Sequence, residues 1–102
     1  MGRLGDIIVV TLLIPTALRA FTERKAEVRV EGATVGAALE ALASEYPDIR
    51  QHLYDDDGAL RAFINIFVGE NNIKNTGGLN TALTPGATVV LVPAIAGGSF
   101  AG

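Results

Sequence analysis

The segment Thr88-Val89-Val90-Leu91-Val92, which continues into Pro93-Ala94-Ile95-Ala96-Gly97-Gly98, decides the fold of this 102-residue chain. Its apolar, mostly β-branched residues predict a buried strand over 88–92. Proline has no backbone N–H to extend a hydrogen-bond ladder, so Pro93 ends this strand and directs the chain outward. The residues beyond are small or apolar and include two glycines. They predict a slim, flexible tail over about 94–102, because glycine fits where a side chain would clash.

A second apolar run, Ile7–Ile14, predicts a strand that is buried on both faces, and Pro15 ends it. Residues 26–31 alternate valines with charged side chains, which predicts a half-buried strand that forms a hairpin with the first. The first and last strands are the most apolar in the chain. They therefore suit neighbouring positions at the centre of one sheet.

Between these strands, Thr34 is placed to cap a helix over 35–46, whose apolar residues recur at helical spacing before Pro47 closes it. A strand over 60–68 follows, then a turn and a short return strand over 72–74. The long strand is predicted to direct two sets of side chains to opposite faces. The core-facing set is Leu60, Ala62, Ile64, Ile66 and Val68, and the outward set is Arg61, Phe63, Asn65 and Phe67. Residues 16–25 and 48–58 are predicted loops.

The predicted order is strand, strand, helix, strand, short strand, strand. One helix between two hairpins packs on one face of a sheet, and a right-handed crossover places the last strand parallel to the first. The sequence therefore predicts an α+β fold of the β-grasp type, as a single domain over 1–102.

Composition excludes several classes of function. The net charge is −3 and the eight basic residues are scattered, so no basic patch for nucleic acid is expected. The chain has no cysteine, and Asp55-Asp56-Asp57-Gly58 lacks the ligand spacing of an EF-hand, so no metal site is expected. The run 7–14 is too short to span a membrane and makes a poor signal peptide. We therefore expect a cytoplasmic protein without a membrane partner.

Several stretches resemble the ubiquitin-like sulfur carriers, the family of the molybdopterin synthase small subunit and the thiamin sulfur carrier. They are Ile14-Pro15-Thr16-Ala17-Leu18-Arg19, Thr34-Val35-Gly36, Phe63-Ile64-Asn65-Ile66-Phe67-Val68, Gly77-Gly78-Leu79 and Val92–Gly98. The resemblance runs from about Val9 to Gly98 and is greatest to the branch that serves cysteine biosynthesis.

The resemblance implies a carrier that is a co-substrate and not itself an enzyme. Gly98, preceded by Gly97, would be adenylated by an E1-like enzyme that uses ATP, and the acyl-adenylate would become a thiocarboxylate. That sulfur would pass to an acceptor on a synthase. No cofactor bound by the carrier itself is implied.

One feature departs from the family pattern, because Gly98 is joined to Ser99 and its carboxyl is not free. We expect a peptidase, of the JAMM metalloprotease type, to remove Ser99–Gly102 first. The alternatives are that the four residues are foreign to the natural protein, that the carrier has lost its function, or that Gly102 itself is activated.

The outward set of the 60–68 strand is the candidate docking patch. We expect Phe63, Asn65 and Phe67 to contact the activating enzyme and the acceptor enzyme, since contiguous exposed apolar surface marks partner sites. Arg61 and Arg19 would rim the patch. The alternatives are that the tail or loops cover the three outward residues, and that the two arginines are ordinary solvated charges. The tail residues Pro93, Ala94, Ile95 and Ala96 would enter the partner. Two other functions stay open: the small subunit of a synthase such as molybdopterin synthase, and a ubiquitin-like modifier joined to target lysines.

Overall fold

The computed structural model describes residues 8–61 and 64–93, and its centre is a mixed sheet in the order β2-β1-β5-β3-β4. The strands are β1 (Val9–Leu13), β2 (Glu27–Glu31), β3 (Ile64–Val68), β4 (Asn71–Asn72) and β5 (Thr88–Pro93). β1 pairs antiparallel with β2 and parallel with β5, and β3 pairs antiparallel with β5 and β4. The predicted β-grasp topology is confirmed, including the central, parallel position of the first and last strands.

Helix α1 (Val35–Glu45) covers one face of this sheet. The Thr34 side chain caps it, because Thr34 Oγ1 accepts the Ala37 N–H at 3.1 Å. Its buried residues follow the predicted helical stripe: Val35, Ala38, Leu39, Leu42 and Ala43. The helix ends one residue before the predicted boundary. No helix within residues 8–61 and 64–93 is long and apolar enough to cross a membrane.

The prediction that the first strand is buried on both faces is wrong. Val10 and Leu12 of β1 are buried in the core, but Val9 on the opposite face is 42% exposed and Leu13 is only half-buried. The same division holds in β3, where Ile64 and Ile66 are buried. An apolar run predicts a strand, but the position of the helix decides which face is covered, and β1 itself carries no signal of that position.

The predicted loops contain short helical segments. A 3-10 helix spans Thr16–Phe21, a second spans Pro47–Ile49, and α2 (Arg50–Leu53) continues from the second. The return strand is shifted as well, since β4 is followed by a 3-10 turn over Ile73–Asn75 instead of extending to Lys74. β3 begins at Ile64 and Leu60 forms an isolated bridge with Tyr54. Ala62 and Phe63 of the predicted strand lie outside the described residues.

Gly32, between β2 and α1, lies against the backbone of the helix. A Cβ atom at Gly32 would lie 2.6 Å from the Ala38 nitrogen and 2.8 Å from the Ala38 Cα. Both are backbone atoms of α1, so they can move aside only if the helix shifts away from the sheet. Gly32 is therefore required for close packing of α1.

We expect Gly32→Ala to lower the free energy of unfolding by about 1–3 kcal/mol, the usual cost of overpacking. Gly36→Ala is the matched control. Its Cβ would meet Leu79 at a milder 3.2–3.3 Å, and the gain of about 1 kcal/mol in helix propensity offsets that contact. Urea unfolding of the three proteins measures the difference. Equal stability of wild type and Gly32→Ala would contradict the packing.

Candidate functional site

The chain leaves the sheet at Pro93, the last residue of β5. Pro93 pairs with Ile64 at the start of β3, so the segment beyond it begins at the end of the sheet where β3 starts. β1 is parallel to β5 and therefore finishes at the same end. The surface at this end is formed by α2, the 3-10 helix Thr16–Phe21 and Arg61. We call this surface the exit end.

The sheet face opposite α1, which we call the open face, carries a row of apolar side chains. Leu13 of β1 is aligned with Val90 of β5, which is aligned with Phe67 of β3. All three are half-buried. Val92, opposite Asn65, is 38% exposed. Apolar surface continuous over three strands therefore extends to the exit end, a property typical of partner sites.

The structure brings together part of the predicted docking patch. Asn65 and Phe67 lie on the open face as predicted, and Arg61 and Pro93 lie at the exit end. The remaining predicted site residues lie outside the described residues: Phe63, Ala94, Ile95, Ala96, Gly97, Gly98 and Ser99. Their roles stay predictions.

Sequence reasoning missed the contribution of Leu13, Val90 and Val92 to the open face. It assigned them to strands without an exposed side, because an apolar residue in a central strand is usually covered. The only signal in the sequence was the presence of a single long helix, which is enough to cover one face of a sheet.

Arg61 is fixed in place at the exit end. Its backbone N–H donates to the Leu53 carbonyl at 2.8 Å and its carbonyl accepts the Ile64 N–H at 3.0 Å. Its side-chain Nε donates to the Gln51 carbonyl, also at 2.8 Å. A guanidinium has five N–H donors, so the two terminal nitrogens keep donors for a partner.

Arg19 has the same kind of anchor at the end of β1. Its Nε donates to the Ile14 carbonyl at 2.9 Å. Its own carbonyl accepts the Arg24 N–H at 2.7 Å, within a turn where Glu23 and Arg24 have positive φ. This turn fixes the backbone of Arg19, which the sequence placed in a loop without indicating an anchor.

A stacked aromatic pair connects the segments that carry the two arginines. The rings of Phe21 and His52 stack with centroids 4.0 Å apart. Phe21 is two residues from Arg19, and His52 follows Gln51, whose carbonyl holds Arg61. The exit end is therefore one packed surface with Arg19 and Arg61 on the two segments that form it.

A cleft of about 510 Å³ lies beside Arg61 and is bounded by Tyr54 and by an ion pair. Arg50 holds Glu40 through two hydrogen bonds of 3.1 and 2.9 Å. These hydrogen bonds lower the pKa of Glu40 and raise the pKa of Arg50. Burial, followed by the nearby charge of Glu40, raises the pKa of Tyr54 to about 12.

Comparison with known proteins places these features in a family. The model of the ThiS family matches residues 12–98. The chain belongs to the ThiS family. The matched range ends at Gly98, the second glycine of the pair identified in the sequence.

Relatives in the ThiS family agree in sequence and fold. The chain is 40% identical over 91 residues to the sulfur carrier protein CysO of Mycobacterium tuberculosis, which covers 87% of this chain and 98% of that protein. A chain of the Amycolatopsis orientalis BexX/CysO complex matches with a TM-score of 0.80 and 35% identity, covering 87% of this chain and 99% of that chain. Small archaeal modifier protein 1 of Haloferax volcanii is 35% identical over 78 residues, 74% of this chain and 83% of that protein.

Tyr54 generates a prediction for alkaline pH. Its pKa is raised from 10.0 to about 12 in the folded protein. The stability that this group contributes is therefore complete below about pH 10 and is lost as the pH rises toward 12. Tyr46→Phe leaves Tyr54 as the one titrating tyrosine, and tyrosinate absorbance should show its midpoint near 12. A midpoint near 10 in the folded protein would contradict the burial of its hydroxyl.

Adjacent residues of β3 should differ in their effect on stability. Ile66→Ala removes a core side chain and should cost about 2–4 kcal/mol. Phe67→Ser removes a half-buried side chain from the open face and should cost less than half as much. Urea unfolding of both variants checks this. Equal losses would show that another part of the chain packs on the open face.

Proposed function

We propose that this chain is a sulfur carrier whose Gly98 carboxyl receives and donates the sulfur atom. The observation that carries the proposal is the end of the family match at Gly98, five residues beyond the last sheet residue, Pro93. Five residues reach at most about 17 Å when extended. This length is enough to bring a terminal carboxyl into an active site that the sheet and helix cannot enter.

The reaction follows from the weakness of a carboxylate as an acyl donor. A Gly98 carboxylate oxygen attacks the α-phosphorus of ATP on an E1-like adenylyltransferase, and pyrophosphate leaves. The acyl-adenylate is then attacked by a sulfur nucleophile, and AMP leaves with the electron pair of the broken C–O bond. With hydrosulfide as the nucleophile, the new C–S bond replaces the broken C–O bond, and loss of the S–H proton leaves the thiocarboxylate. In this scheme the chain is a co-substrate, and ATP is bound by the partner.

Gly97 and Gly98 suit the narrow approach to such a site, because a glycine pair has no side chains to clash with the walls of a channel. The residues between Pro93 and Gly97 are small or apolar, so they can be desolvated at little cost. We assign Ala94, Ile95 and Ala96 to contacts within the partner. The acceptor synthase would receive the same segment.

Removal of the residues after Gly98 precedes activation in this proposal. Gly98 is joined to Ser99 by a peptide bond, and an amide carbonyl cannot be adenylated as a carboxylate is. We assign the cleavage to a peptidase of the JAMM metalloprotease type. The sulfur would then serve cysteine biosynthesis or the formation of another sulfur metabolite.

The open face supports docking in the same proposal. The row Leu13, Val90 and Phe67 reaches across the three central strands, and Val92 and Asn65 lie between it and the exit end. A partner seated on this face would cover apolar surface and receive the chain as it leaves Pro93. Phe63 is assigned to the same patch from its place in the sequence.

A protein modifier is the second candidate function. The specific observation is the 35% identity to small archaeal modifier protein 1 of Haloferax volcanii, together with a TM-score of 0.82 to a protein of that name from Methanosarcina acetivorans. A modifier would use the same activated Gly98 carboxyl but transfer it to a lysine amine. The two functions therefore differ only in the nucleophile.

Intact mass spectrometry tests the proposal. The chain, cut after Gly98, is incubated with an E1-like adenylyltransferase, ATP and a sulfur source. We expect the mass change of one oxygen replaced by sulfur. With the candidate peptidase, the uncut chain should lose the mass of the residues beyond Gly98.

Gly98→Ala is the control. It should fold as the wild type does, because Gly98 follows the described sheet and helix in sequence, but it should fail to gain sulfur. Sulfur gain by this variant would disprove the assignment of the site. Adducts of higher mass that survive reductant and hydroxylamine would favour the modifier function, since isopeptide bonds resist both reagents.

A further inference from the structure

The described part of the chain contains five arginines, which fall into two groups by burial. Arg24, Arg29 and Arg50 are exposed, and the Arg50 guanidinium is occupied by Glu40. Arg19 and Arg61 are half-buried and each is tied through Nε to a backbone carbonyl. Within residues 8–61 and 64–93, neither of these two lies within 4.0 Å of a carboxylate.

Both anchored arginines lie at the exit end. β5 lies between β1 and β3. Arg19 binds the carbonyl of Ile14, the residue after β1, and β3 starts three residues after Arg61. The Phe21–His52 stack packs their two segments together. The two segments that carry these arginines therefore lie at the end of the sheet where β5 finishes, in a protein whose net charge is −3.

Four carboxylates line the cleft beside Arg61, those of Glu40, Asp48, Asp55 and Asp56, and Glu40 is engaged by Arg50. Asp55 Oδ1 accepts the N–H groups of Asp57 and Ala59 at 2.9 and 3.1 Å, so it stabilises its own turn. Asp55 and Asp56 line the same cleft as Arg61, but neither forms an ion pair with it in the described residues. The guanidinium groups thus keep terminal N–H donors for an external acceptor.

We propose that Arg19 and Arg61 form a two-point binding site for carboxylate side chains at the rim of the active-site channel of the activating enzyme. The inference rests on the proposed function and adds the chemistry of the partner surface. A planar guanidinium pairs bidentately with a carboxylate, and an anchored one loses less conformational entropy on binding than a free side chain. The apolar open face would supply contact area, and the two arginines would fix the direction in which the chain enters the channel.

The test measures the affinity of the chain ending at Gly98 for an adenylyltransferase that adenylates the wild type, over a range of NaCl concentrations. Hydrogen bonds to charged groups are strong, so Arg19→Gln and Arg61→Gln should each weaken binding about tenfold at low salt. The loss should shrink as salt rises, because screening weakens the wild-type contact too. Lys74→Gln is the matched control, since it removes one charge beyond β4, at the other end of β3.

Lysine variants distinguish binding through an anchored guanidinium from binding through positive charge alone. Arg19→Lys and Arg61→Lys keep the charge but lack the guanidinium, so we expect binding between that of wild type and the glutamine variants. Urea unfolding of each variant verifies that the fold is kept. The salt dependence of wild-type binding measures independently how much charge contributes to the affinity.

Wild-type affinity that does not change with salt would overturn the inference. So would equal losses in Lys74→Gln and the two arginine variants. In both cases adenylation of the wild type would leave the proposed function standing. A wild-type chain that is neither bound nor adenylated would instead refute the proposed function, and the inference with it.

Discussion

The parallel pairing of β1 with β5 is the constraint from which the other features follow. Parallel neighbours cannot be joined by a tight turn, so the chain between them must cross over the sheet. The crossover places α1 on one face, where its apolar stripe joins Val10 and Leu12 of β1 in one buried core cluster. The same pairing makes both central strands finish at one end of the sheet. The open face and the exit end are thus two consequences of one topology.

Side chains on the two faces of the sheet are buried to different extents. The more buried face contributes to stability, and the less buried face is available to a partner. The helix-covered face holds side chains that are almost completely inaccessible, such as Leu12, Ile66 and Val89. Their removal would leave cavities, so this face accounts for much of the stability. Leu13, Val90 and Phe67 on the other face keep partial exposure. A protein can change such residues at lower cost in stability, which leaves them available for selection by a partner.

The sequence predicts the strands, the long helix and the topology because their signals are local periodicities. Thr34 and Pro47 mark the ends of α1, and the alternation of Ile64 to Val68 gives the correct inward face. The exit end was less predictable because its contacts join distant segments. Nothing near Phe21 indicates a stack with His52, and nothing near Arg61 indicates an anchor at Gln51. Residues with positive φ, such as Glu23 and Arg24, also gave no signal, since such positions favour glycine or asparagine.

In the proposed sulfur transfer, the sheet and the segment beyond it would have different roles. A reacting group gains rate when its position is restricted before the chemical step. Pro93 is paired in the sheet and Arg61 is held by three hydrogen bonds, so the start of that segment has a defined position on the protein surface. With only five residues to Gly98, a docked body would restrict the carboxyl to within about 17 Å of that point. In the proposed reaction, partner choice would then reside in the body, while the chemistry would depend on the Gly98 carboxyl alone.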